Sequence, residues 1–141
     1  MDTIIAGFFK TSHKHINFED LQYAIQHVDD FIIINTLSIG EQDCLIFGTL
    51  PFNKEEEIIN HLLQNYDYSS KKFIIYGKNN NDAGCEKKAK QLVSLGFSNV
   101  FIYVGGLFEW LLLQDIYGND EFPTTKKILD ILKYKPIRQI C

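Results

Sequence analysis

Phe73-Ile-Ile-Tyr-Gly77, the polar loop Lys78-Asn-Asn-Asn-Asp-Ala-Gly84, Leu95-Gly-Phe-Ser-Asn-Val100 and Ile102-Tyr-Val-Gly-Gly-Leu-Phe-Glu-Trp110 decide the fold. Short apolar runs bounded by polar residues are the mark of strands covered on both faces. Phe73–Tyr76 and Val100–Val104 fit that pattern. Between them a helix opens at Asp82 or Gly84, with Ala89, Leu92, Val93 and Leu95 as its apolar positions. Gly96 is suited to the left-handed residue that ends it. Gly105-Gly106 then turns the chain into a helix from about Leu107 to Tyr117, and Gly118 stops it. Strands alternating with helices predict an α/β fold, with a largely parallel sheet and right-handed crossovers that place helices on both faces.

The same alternation extends outward. Residues 3–9 are apolar and read as a short N-terminal strand, and His13–His15 as a turn. Asn17 and Asp20 form a capping pair ahead of Leu21, Ala24, Ile25 and Val28, a helical stripe. Phe31–Leu37 is another buried strand. Ser38–Asp43 is a loop and Cys44–Phe47 a short strand. Asn53 caps a helix whose first turn carries Glu55, Glu56 and Glu57, acids that suit the positive end of the helix dipole. Ile58, Ile59, Leu62 and Leu63 form its buried face. Ile33, Ile75, Ile102 and Trp110 are expected in the core. The helix at 107–117 is apolar nearly all round, so one sheet face does not cover it. Phe122–Ile140, containing a short helix at 126–134, is expected to fold back over it, with Phe122, Ile128 and Leu132 near Trp110 and Leu113. The alternative is cover from another chain.

The chain has 141 residues, about one domain, and a net charge of −4. No apolar run reaches the ~20 residues of a membrane span, and the N-terminus lacks the layout of a secretory signal. No basic stripe with interleaved aromatics speaks for nucleic acid. Cys44, Cys85 and Cys141 lie far apart, with no metal-ligand spacing. Together these point to a reducing intracellular compartment. The four histidines, His13, His15, His27 and His61, are scattered, and none is paired by spacing with a cysteine or carboxylate. No metal and no cofactor is expected. Arg138 is the single arginine.

Leu95-Gly-Phe-Ser-Asn-Val100 followed by Gly105-Gly-x-x-x-Trp110 resembles the active-site half of a rhodanese-like domain. The resemblance covers roughly residues 16–117. It implies a sheet of about five mostly parallel strands wrapped by helices. The corresponding division is a rhodanese-like core at 16–118, an N-terminal extension at 1–15 and a C-terminal extension at 119–141. In the family a cysteine ends the strand and begins the loop; here that place is held by Gly77. Related phosphatases and arsenate reductases of this fold place an arginine five or six residues after the cysteine, and the loop here has none. The family's early strand usually ends in an aspartate followed shortly by an arginine, where this chain has Asn35, Thr36 and Leu37.

These departures imply a catalytically inactive rhodanese-like module that acts through protein binding or as a scaffold, its partner an unidentified protein or a second copy. The alternative is a divergent sulfurtransferase or phosphate-handling enzyme using Cys85 and Lys78. Gly77, Lys78, Asn79, Asn80, Asn81, Asp82, Ala83 and Gly84 make up the candidate anion-binding loop, because a strand–loop–helix turn aims backbone N–H groups into a bowl.

Overall fold

A computed structural model describes residues 13–141. The expected strand at residues 3–9 lies outside them. The elements are β1 (His13–Ile16), α1 (Phe18–Ile25), β2 (Phe31–Asn35), α2 (Glu55–Gln64), β3 (Lys72–Tyr76), α3 (Gly84–Ser94), β4 (Val100–Tyr103) and α4 (Gly106–Tyr117). Short 3₁₀ turns occur at Ile39–Glu41, Phe52–Lys54 and Ile131–Tyr134.

The sheet is parallel throughout, in the order β1-β4-β3-β2. Side chains alternate across it. Ile33, Ile74, Tyr76 and Tyr103 face α1 and α4, where they pack with Leu21, Ala24, Leu107, Trp110 and Leu111. Ile34, Phe73, Ile75, Val100 and Ile102 face α2 and α3, where they pack with Leu62, Ala89 and Leu92. Ile33, Ile75, Ile102 and Trp110 are all buried, as expected. Ile75 is fully enclosed on the central strand β3, so Ile75→Ala removes packed atoms from a site that cannot collapse. We expect a loss of about 2–5 kcal/mol in urea denaturation; a loss below about 1 kcal/mol would contradict the two-sided burial of β3.

Several boundaries differ from the sequence reading. His13–Ile16 is not a turn but an edge strand on β4, with His13 beside Val100 and Ile16 beside Tyr103. Asn17 and Asp20 do close a reciprocal capping box ahead of α1. Asn53 does not cap α2, because a 3₁₀ turn precedes it and Lys54 holds the cap position.

The sheet has four strands among the described residues, not about five. The expected strand at Cys44–Phe47 forms no ladder with the sheet: Ile46 N donates to the Tyr76 hydroxyl at 3.0 Å, and only the residues just after it reach β2, where Thr49 bridges Ile33 and Leu50 N donates to the Ile33 carbonyl. Its backbone is committed elsewhere. Ile46 bridges Thr124 antiparallel, Phe47 N donates to the Pro123 carbonyl at 3.0 Å and Thr125 N to the Leu45 carbonyl at 2.8 Å. The tail thus takes hydrogen bonds that a fifth strand would have needed.

The tail does fold back on α4, though not as the helix expected at 126–134. Phe122 stacks edge-on against Trp110 at 5.0 Å, and Ile128 packs against the same cluster. Leu132 does not join them; it is 61% exposed, and Tyr134 is buried instead. The 3₁₀ turn explains the exchange, since its period of three sets Ile131 and Tyr134 on one side. The outer face of α4 keeps Leu112, Ile116 and Tyr117 in solvent. Among the described residues no helix is long and apolar enough to cross a membrane.

Candidate functional site

The C-terminal ends of β2 and β3 and the N-termini of α3 and α4 meet around the loop from Gly77 to Gly84. The Gly-Gly turn fixes the loop from one side. Leu107 N donates to the Gly77 carbonyl and Phe108 N to the Lys78 carbonyl, both at 2.9 Å. Gly106 sits at φ +69°, and a Cβ there would lie 2.9 Å from the Asn79 backbone. Only glycine allows both that conformation and that approach.

The bowl forms, and the chain fills it with its own carboxylate. Asp82 Oδ2 accepts from Lys78 N at 3.1 Å and from Thr36 Oγ1 at 3.0 Å. Asp82 Oδ1 accepts from Gly84 N at 2.8 Å, at the start of α3. Two backbone N–H groups, one of them at the start of α3, and one hydroxyl hold the carboxylate, the kinds of donor that also bind phosphate. A Cβ on Gly77 would lie 2.6 Å from Asp82 Cγ and 2.7 Å from its Cβ. The Asp82 carboxylate therefore occupies the space into which a side chain at position 77 would project.

The remaining loop residues are turned away from the bowl. Lys78 Nζ pairs with Glu41 Oε2 at 3.0 Å, and this bond, followed by one from Ser38, holds the Glu41 carboxyl below its ordinary range. Asn79 Nδ2 donates to the Tyr134 carbonyl at 3.0 Å, tying the tail across the loop. Asn79 Oδ1 accepts from Asn81 N. Asn80, Asn81 and Ala83 are exposed. At the end of β2, buried Asn35 and Gln42 exchange side-chain hydrogen bonds at 3.0 and 2.8 Å. This closes the polar end of that strand without a charge.

A family model described as the Rhodanese-like domain matches residues 19–113. The chain belongs to the rhodanese-like domain family. Solved structures agree on the fold. The BH2092 protein from Bacillus halodurans is 21% identical, with a TM-score of 0.58 over 83% of this chain and 82% of its own. Saccharomyces cerevisiae Ygr203w is described as a homolog of single-domain rhodanese and Cdc25 phosphatase catalytic domain. It is 16% identical, with a TM-score of 0.59 over 86% of this chain and 92% of its own. Another structure of that yeast protein is described as a protein tyrosine phosphatase of the Rhodanese family, with a TM-score of 0.58 at 16% identity over 86% of this chain and 97% of its own. Comparison with curated proteins finds no match.

In this rhodanese-like domain Cys85 lies in the first turn of α3, but inward. It is 4% exposed, its Sγ is 3.6 Å from Thr36 Oγ1, and burial above all pushes the thiol up to about 11. A reactive cysteine is instead an exposed, low-pKa thiolate. Cys44 is fully buried and donates to the Lys126 carbonyl; Cys141 is exposed. Of the predicted site residues, Gly77, Lys78, Asp82 and Gly84 meet at the bowl through backbone or carboxylate; the Lys78 ammonium turns away to Glu41, and the Cys85 thiol lies buried behind the Thr36 hydroxyl that holds Asp82.

Sequence reading missed Thr36 as the partner of Asp82. Asp82 accepting from Gly84 N is an Asx turn just ahead of α3, a local signal of aspartate in turns, but its fit beneath Gly77 is visible only in three dimensions. The histidines also need correction. His13 Nε2 lies 2.9 Å from Glu86 Oε2 and His15 Nε2 lies 3.5 Å from Glu86 Oε1. Spacing along the chain could not reveal this, because β1 reaches α3 through its place beside β4.

Proposed function

We propose that this rhodanese-like domain carries no sulfurtransferase or phosphatase chemistry and acts as a binding module through protein contacts. The observation that carries the reading is the Asp82 carboxylate held by Lys78 N, Gly84 N and Thr36 Oγ1 beneath Gly77. Sulfur transfer needs a thiolate at the bowl and room for the persulfide it carries. Phosphoryl transfer needs the same bowl for the phosphoryl group. Here a fixed negative charge has the donors and repels a second anion. The buried Cys85 thiol has no place in either reaction. Leu112, Ile116 and Tyr117 on the outer face of α4 support a role in contacts, since they remain in solvent after the tail has packed.

The direct test is thiosulfate:cyanide sulfurtransferase activity on the full chain. We expect turnover indistinguishable from a no-protein control. Turnover comparable to an active family member and abolished by Cys85→Ser would overturn the reading. For the contact role, sedimentation of the protein alone and of Ile116→Glu measures whether the outer face of α4 joins copies of the chain.

A further inference from the structure

We propose that His13, His15 and Glu86 form a binding site for a divalent transition-metal ion, with zinc the best match to the donor set. The argument begins with strand geometry. Residues i and i+2 of a strand share a face, so His13 and His15 project together while Ile16 packs into the opposite core. Their sheet partners are Val100 and Ile102, which both pack on the α2 and α3 side. α3 is therefore the helix these two rings must meet. Its first turn supplies Glu86, whose two carboxylate oxygens reach the two rings separately, Oε2 at 2.9 Å from His13 Nε2 and Oε1 at 3.5 Å from His15 Nε2. One donor atom from each residue lies within 4.8 Å of the others.

A tetrahedral ion with bonds of about 2.0–2.2 Å to nitrogen and oxygen sets its ligand atoms about 3.3–3.6 Å apart. The donor atoms already lie within 4.8 Å of one another, so the adjustment the site requires is on the order of 1 Å. His15 is 60% exposed and Glu86 47%, so both are free to adjust, whereas His13 is 5% exposed and anchors the site. The rings lie 6.1 Å apart at 40°, not stacked, so both nitrogens can address a common point. Two imidazoles and one carboxylate suit zinc better than calcium or magnesium, which prefer all-oxygen shells. Three protein donors leave the fourth position to water or an added ligand, the arrangement of open rather than purely structural zinc sites. The site lies at the β1 edge of the sheet, apart from the Asp82 bowl, and stands independently of the reading proposed for the bowl.

The test is titration of the full chain with zinc chloride by calorimetry, with cobalt(II) as a visible-absorption probe of coordination geometry. We expect one equivalent to bind and both histidine Nε2 resonances to move on binding. His15→Ala and Glu86→Gln change exposed side chains, and far-UV circular dichroism checks that each variant stays folded. Each should weaken zinc by more than the roughly 10–100-fold typical of losing a supporting contact. Cys141→Ser should leave binding unchanged. Zinc affinity in His15→Ala and Glu86→Gln equal to that of the unaltered chain would overturn the proposal. So would binding that Cys141→Ser abolishes, or no saturable binding, in which case the three residues form only an ion pair.

Discussion

Deleting residues 121–141 is expected to leave a chain that no longer folds as a soluble monomer. Phe122 and Tyr134 are 3% and 2% exposed and lie over Trp110, Leu107 and Leu111. Burying each contributes about 1.5–3 kcal/mol before entropy is subtracted. The tail also supplies polar partners that the rest of the domain lacks. Trp110 Nε1 donates to the Pro123 carbonyl at 3.1 Å, Gln114 Nε2 to the Phe122 carbonyl at 2.7 Å, and Leu45 N to Thr125 Oγ1 at 3.0 Å. Each such bond is worth about 0.5–1.5 kcal/mol net. These are gross losses, offset in part by the ordering entropy of the tail, but they are large beside the ~5–15 kcal/mol net stability of an ordinary domain. Trp110 would then open to solvent on a helix already apolar outside, so the truncated chain should aggregate. Size-exclusion chromatography and thermal melting report the outcome. A truncation that stays monomeric with an unchanged Tm would mean that the tail does not cover α4. Phe122→Ala is the milder form, with an expected loss of about 3–5 kcal/mol.

Gly77→Ala should destabilise the domain by about 2–4 kcal/mol, through overpacking and displacement of a hydrogen-bonded carboxylate. The backbone at Gly77 is not in the left-handed region, so conformational strain plays no part. The obstacle is Asp82. The new methyl would overlap its Cβ and carboxyl group, and moving them breaks the bonds from Thr36, Lys78 and Gly84. Asp82→Gly removes the obstacle, so the cost of Gly77→Ala should shrink in that background, with a coupling of about 1–3 kcal/mol. Additive losses would mean that Asp82 does not fill the space beneath Gly77. The pair Gly77→Cys and Asp82→Gly extends the test to chemistry. It places a thiol among the freed N–H groups at the start of α3, where its pKa should fall. Gly77→Cys alone carries the same overlap as Gly77→Ala and keeps the thiol near the displaced Asp82 charge, where it should stay protonated. Alkylation rates across pH compare the two.

Much of the domain was legible in local patterns. The continuous apolar runs gave β2, β3 and β4, since strands buried on both faces read as nearly unbroken apolar stretches. The helical stripes, the Asn17 cap and the Gly105-Gly106 turn placed the helices, because these signals act within a few residues. The loop at 77–84 was legible for the same reason, as the turn between a buried strand and a helix start.

What the chain could not disclose by itself lies in pairings between distant segments. Cys44–Phe47 has strand-like composition, yet its hydrogen bonds go to Pro123 and Thr125, and no local property of either segment announces the partner. His13–His15 is polar and reads as a turn until β4 offers it an edge. The tail was correctly expected over α4, but Tyr134 replaced Leu132 because a 3₁₀ turn has a different period from a helix. The bowl shows the division most sharply. Sequence alone determined that a glycine follows β3 and that an aspartate precedes α3. Only the tertiary structure decided that the aspartate would occupy the glycine's empty side-chain space, because that depends on the loop being pinned by α4 and on Thr36 arriving from β2. Hydrophobic periodicity is local and survives in one dimension, whereas the filling of a cavity and the neutralising of a charge are settled by whatever the folded chain brings within about 3 Å.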